Sequence, residues 1–257
     1  MAGKSKTIKI DDGVFQSKMR KMAKRAKVDE YAFIKEQGAL YARDMAKATP
    51  PMASGQINLK KASIGSVADR KQGEFAMWND IAQIFVLQEP QVIQWAFSTF
   101  GRGKIYKGRK QIGAGIALSM GEIERFHRRN TRRNGRTKPL KYEDRLWVSE
   151  KILAKYFKME KTKVGSAKAS IAKAMVGINP KQRVPGWISK NMGRSTASGW
   201  MTRGRKGPRA AIRASAAGLQ HLFGKIPFLQ RFRVVAMEKR MKAMVRANAR
   251  KAGFKTR

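Results

Sequence analysis

The stretch WVSEKILAKYFKMEKTKVGSAKASIAKAM, residues 147–175, decides how the chain is read. Its apolar positions Leu153, Tyr156, Phe157, Val164, Ala167, Ile171, Ala174 and Met175 fall mostly three, four or seven residues apart, the repeat of one helix face. Ser149 is placed to cap the amino end and Glu150 suits the positive end of the helix dipole. Gly165 is a weak point of about 1 kcal/mol relative to Ala unless something packs on it. Gly177 and then Pro180 are the expected stop. Behind the helix comes the turn Val184-Pro185-Gly186-Trp187, which predicts a largely buried Trp187. Basic, glycine-containing segments lie on both sides, so the expectation is one buried helix spacing two cationic arms.

The charge of the chain narrows its partners. Net charge is +40 over 257 residues, and residues 161–257 hold 24 Lys or Arg against one acid, Glu238. Such a surface repels itself and attracts polyanions: nucleic acid, an acidic partner or a membrane surface. Hydrophobic residues make up 42% of the chain, too many for a wholly disordered tail. There is no cysteine, which rules out a disulfide, a thiolate nucleophile and a Cys zinc site. No stretch approaches the roughly 20 apolar residues that span a bilayer, and the first residues lack the apolar run of a signal peptide. A cytoplasmic protein with no membrane partner is therefore expected.

Other elements follow from periodicity and breakers. Residues 1–12 read as a flexible tail and 14–27 as a basic amphipathic helix with Phe15, Met19 and Met22 between charges. A helix over 29–48 carries Tyr31, Ile34, Gly38, Tyr41 and Met45, and Thr49-Pro50-Pro51 ends it. Residues 56–69 read as loop, and 72–86 as a helix with Phe75, Trp78, Ile81, Ala82 and Phe85 on one side. Residues 92–100 leave helix and strand open. Ile112 to Met120 alternate with small residues and predict a strand, as do residues 210–215. The last helix, 228–252, carries Val234, Met237, Met241 and Met244 in one stripe. Either this stripe or that of Tyr31, Ile34, Tyr41 and Met45 is expected to meet another subunit.

Residues 125–141 and 193–209 read as exposed basic loops. Together they supply Arg125, Arg128, Arg129, Arg132, Arg133, Arg136, Lys138, Lys141, Arg194, Arg203, Arg205, Lys206 and Arg209 as candidate nucleic-acid ligands. Arginine in a mobile Gly/Asn setting forks onto phosphate oxygens from many approaches, so the expected contact is backbone-directed and salt-sensitive. Apart from Phe126 the first loop lacks aromatics, and base stacking is not its mode. The competing reading is a basic surface facing acidic protein neighbours. Catalysis finds little footing: His127 and His221 have no ligand-spaced companion, and the pairs Glu122/Glu124 and Glu143/Glu150 read as carboxylates balancing nearby arginines. No nucleophile elbow, dinucleotide fingerprint or phosphate loop is present. No catalytic residue, metal site or cofactor is assigned.

Several motifs in order resemble the minor tail, or tail-completion, proteins at the head–tail joint of tailed bacteriophages. Residues 39–49 with Pro50-Pro51-Met52 and Ser54-Gly55 resemble the family's helix and its "TPPM…G" turn. Gln72-Gly73-Glu74, Asp80-Ile81 and Phe85 are similar to its next helix, and His127-Arg128-Arg129-Asn130 with Gly135-Arg136 to its basic loop. Val164-Gly165, Ala167-Lys168-Ala169 and Val184-Pro185-Gly186-Trp187-Ile188 resemble its "VG.AKA" helix and "VPGWI" turn. The resemblance spans residues 39–190, and residues 92–124 stand outside the pattern. It implies a non-enzymatic virion protein of the tail or neck, a homo-oligomeric ring, and tail-tube, tail-terminator and connector proteins as partners, with non-sequence-specific contact to DNA. A different class remains open: a nucleoprotein component of the ribosome-associated type, binding RNA or DNA backbone. The fold expected is α+β, mainly helical with a small antiparallel sheet, in a single domain over residues 1–257.

Overall fold

The computed structural model describes residues 7–10, 13–25, 28–53, 57–60, 63–132, 136–205, 207–215 and 219–251. In chain order the elements are β1 (Thr7–Ile10), α1 (Gly13–Arg25), α2 (Glu30–Lys47), α3 (Val67–Ala82), β2 (Phe85–Gln88), α4 (Pro90–Phe100), β3 (Ile105–Lys107), β4 (Lys110–Gly113), β5 (Gly115–Ala117), α5 (Met120–Asn130), β6 (Leu146–Ser149), α6 (Glu150–Lys161), α7 (Ser166–Ile178), α8 (Gly186–Met192), β7 (Ser198–Gly204), β8 (Gly207–Ser215), α9 (Gln220–Phe223) and α10 (Ile226–Lys251). The fold is α+β and mainly helical. Where the sequence reads as one domain, the chain divides into two compact units: among the described residues, 68–164 form an inserted unit, and 7–67 with 165–251 form a split unit.

The break that separates the units falls inside the stretch read as one helix. Residues 147–149 belong to strand β6, α6 covers Glu150–Lys161, and the chain turns through 162–165 before α7 begins. Gly165 has φ +83°, a left-handed conformation that glycine adopts without steric penalty. A side chain there would also collide with the Trp187 ring, and one at Gly65 would come within 2.6 Å of the same ring. Trp187, partly buried rather than fully so, packs on the core from the start of α8, which the Pro185-Gly186 turn opens. Ser149 sits at the N-cap of α6 without a side-chain cap bond. Gly177 lies inside α7 and does not stop it; its missing β-carbon instead lets the Gly199 backbone approach.

The split unit is a helical layer on an antiparallel sheet of order β1-β8-β7. Thr7–Ile10 pair with β8, so that part of the expected tail is a strand, while residues 1–6 and 11–12 lie outside the described residues. Asp29 caps α2 by accepting from the Tyr31 and Ala32 N–H groups, as its position predicts. Ile34, Tyr41 and Met45 of α2 are buried within this unit, so that stripe is not left for another subunit. On α10, Met237 is buried and Val234 and Met241 pack on the same core. Lys168 of α7, 1% exposed, donates from Nζ to the Ile64 carbonyl at 3.0 Å, which holds the incoming chain on α7.

A buried ionic cluster joins α2 to α10. Asp44 is wholly buried and accepts two bonds on Oδ2 from Arg233, one from Nε at 2.8 Å and one from Nη2. Lys47 Nζ lies 3.9 Å from Asp44 Oδ1 and donates to the Leu59 carbonyl at 2.7 Å. Burial pushes the Lys47 ammonium down to about 8, against the pull of Asp44 and with the help of Arg43 and Arg233.

The inserted unit is built on a parallel sheet of order β2-β6-β5 with the β3-β4 hairpin beside it. A parallel sheet replaces part of the antiparallel one expected. Phe85 and Val86 therefore leave the predicted helix for β2, and Phe75 is 59% exposed. Residues 92–100 resolve as helix α4, and the alternating run at 112–120 divides between β4, β5 and the start of α5. Glu74 ties α3 to α6, accepting from Arg70 at 2.7 Å and lying 2.8 Å from Lys161.

The cluster yields two predictions. Arg233→Ala strands a buried carboxylate and is expected to destabilise the chain by about 3–5 kcal/mol in denaturant unfolding, whereas Asp44→Leu with Arg233→Met should restore much of that loss. Between about pH 8 and 10.5 the unfolded chain keeps the Lys47 proton that the folded chain has released, so stability should rise with pH across this window. Below it Lys47 is protonated in both states and contributes no slope. Urea unfolding at about pH 7.5 and about pH 9.5 should show the gain in wild type and lose it in Lys47→Met.

Candidate nucleic-acid interface

In the split unit the basic side chains converge through local geometry. Helix α1 buries Phe15, Met19 and Ala23, one helical turn apart, and Gln16 donates to the Ala210 carbonyl at 3.0 Å. That seats α1 beside β8 and turns Arg20, Lys21 and Lys24 away from the core. The second predicted loop is a β-hairpin: β7 and β8 pair from Ser198↔Arg213 to Gly204↔Gly207. Gly204 and Gly207 pair at its tip, and Arg205 is exposed in the turn there. Gly207 has φ +98°, and a β-carbon there would stand 3.1 Å from Glu30 Oε1 and 3.4 Å from Arg20 Cδ. The hairpin tip is thereby brought against α1 and the start of α2.

Between these elements lies an open cleft of about 750 Å³, with Arg20, Lys21, Lys24, Arg205 and Arg209 on its walls and, among the described residues, Glu30 as the one acid. A concave surface of one sign concentrates counter-charge far better than the same cations on a convex face. Arg203 does not join them; its guanidinium lies over the Tyr31 ring at 5.2 Å. Arg194 is exposed in the turn after α8, and Lys206 lies outside the described residues.

The inserted unit places its basic residues differently from the expected loop. Helix α5 runs to Asn130, so Arg125, Arg128 and Arg129 are exposed helical residues, and the last two suit the negative end of its dipole. Arg132 and Arg136 are exposed beside the Thr131↔Thr137 bridge, and Lys138 and Lys141 are exposed in the chain after it; Arg133 lies outside the described residues. Thr137 Oγ1 donates to the Asp80 carbonyl at 2.8 Å, pinning that bridge to α3. His127 is a half-buried residue of α5, with Nδ1 2.6 Å from the Tyr156 hydroxyl, and burial lowers its pKa.

Of the four paired carboxylates, Glu122 and Glu143 have cationic partners. Glu122 completes a capping box with Ser119 and lies 3.1 Å from Arg102, while Glu143 lies 3.8 Å from Lys110. Among the described residues no group of three or more His, Asp or Glu is placed to hold a metal ion, and no helix is long and apolar enough to cross a membrane.

Sequence reasoning found Arg205 and Arg209 but not Arg20, Lys21 and Lys24. The signal was present, since residues 14–27 read as a basic amphipathic helix. What was missing was the hairpin register that places its polar face beside Arg205. No known protein family, curated protein or solved structure matches the chain.

Proposed function

We propose that this chain is a non-enzymatic structural protein of a tailed-phage particle, seated at the head–tail joint, whose split unit holds DNA by its backbone. The observation that carries the nucleic-acid reading is the cleft between α1 and the β7-β8 hairpin, whose walls hold five cations and one acid among the described residues. Its donors are guanidinium and ammonium groups, which read phosphate and carry no base information. The virion setting is supported by the order of the motifs. Two of them also meet in space, since Gly165 of one lies under Trp187 of the other. In such a joint, tail-tube, tail-terminator and connector proteins are the neighbours. A ring of subunits at +40 each would repel itself, and DNA or acidic neighbours offset that repulsion.

The test is the affinity of the full chain for unrelated duplexes of about 30 base pairs, measured between about 50 and 200 mM salt. Wild type should bind all of them alike. Lys21, Lys24 and Arg205 are exposed, so replacing all three with Ser should leave the fold intact and flatten the log-affinity against log-salt slope by about 2–3 units. The same change at Arg128, Arg129 and Arg132 should flatten it less, because those side chains do not line the cleft. An unchanged slope in the cleft variant contradicts the DNA reading. Markedly tighter binding to duplex RNA would favour the ribosome-associated alternative. Absence of the chain from purified particles would contradict the virion setting.

A further inference from the structure

The β1-β8-β7 sheet presents two unlike faces. Ala210, Ile212 and Ala214 of β8 point into the core, and Met201 of β7 packs there too. The alternate residues form the other face: Ser198, Trp200 and Thr202 on β7, and Arg209, Ala211 and Arg213 on β8. Register sets Trp200 opposite Ala211, Ser198 opposite Arg213 and Thr202 opposite Arg209. Trp200 is 40% exposed, Arg213 is exposed and Arg209 is half-buried. A lone exposed tryptophan calls for no explanation. This one is flanked by small, hydroxyl-bearing and cationic side chains, and its cross-strand neighbour is too small to cover the ring.

We propose that this sheet face binds unpaired nucleic acid, with a base stacked on the Trp200 indole and flanking phosphates on Arg213 and Arg209. The inference rests on the nucleic-acid reading above and extends it from backbone to base, since every base has a π-face and stacking tolerates any sequence. Sheet faces with an exposed aromatic between basic residues suit single strands, whose bases can splay out. A second copy of the chain is the poorer occupant, because a two-fold pairing of this face would bring its arginines toward their own kind.

Full-length wild type, Trp200→Ala and Trp200→Phe would be titrated with an oligo-dT of about 12 nucleotides, an abasic phosphodiester chain of equal length and a blunt duplex. Trp200→Ala should weaken oligo-dT binding about tenfold to a hundredfold, leave the abasic chain and the duplex within about twofold, and lose the tryptophan quenching seen on oligo-dT addition. Trp200→Phe should recover most of the affinity. Equal binding of oligo-dT by wild type and Trp200→Ala overturns the proposal, while retained duplex binding in that case leaves the cleft reading standing. Wild type that binds neither strand nor duplex overturns both. Reduced self-association in Trp200→Ala with unchanged oligo-dT binding makes the face a protein interface and overturns it equally. If Trp200→Ala lacks a cooperative melting transition, wild type against the abasic chain decides: no preference for oligo-dT overturns the proposal.

Discussion

The indole of Trp187 lies on two glycines that are a hundred residues apart in sequence, Gly65 and Gly165. No side chain fits at either position without moving the ring, and Gly165 also needs its left-handed backbone. These are the residues at which the chain is about to leave the split unit and has just returned to it. One aromatic contact thus holds both ends of the insertion, and the core of the split unit closes around it. The inserted unit has its own buried clusters, around Ile81, Ile123 and Leu153 and around Ile93, Ile105 and Trp147. The division into two units is consistent with each burying its own apolar surface.

How legible this was depended on what each element needs. Helix α2 was plain, because Asp29 at one end and Pro50 at the other mark its limits by local chemistry alone. The break at 162–165 was hidden, because apolar spacing is continued in phase across Gly165 by Val164 and Ala167. Only the ring packed on that glycine shows why the helix cannot run through it. Strand β2 was misread for a related reason: Phe85 continues a helical spacing from Trp78 and Ile81, and its pairing with β6 lies about sixty residues downstream. Non-local pairing leaves no mark on a short apolar run.

The basic residues show the same division between type and placement. Their abundance was visible from composition, and the polyanion reading needs little more. The Gly- and Arg-rich stretch at 193–209 reads as loop, since glycine weakens any strand pattern, yet its residues 198–204 pair one for one with β8. Once it is a hairpin, Arg205 sits at a fixed tip, and α1 supplies the other wall of the cleft. Part of the charge expected on mobile arms, that of Arg125, Arg128, Arg129, Arg203 and Arg209, is instead held on helix and strand. That reduces the ordering entropy lost when a phosphate chain binds.

The central claim is that α1 and the hairpin tip form the main DNA contact. It is tested most directly by photo-crosslinking the full chain to a duplex of mixed sequence carrying reactive groups along its backbone, and mapping the linked peptides. The account predicts that crosslinks concentrate in peptides holding Lys21, Lys24 and Arg205, with fewer at Arg128 and Arg129. Crosslinks confined to α5 and the segment after it, with none at α1 or the hairpin tip, would contradict it.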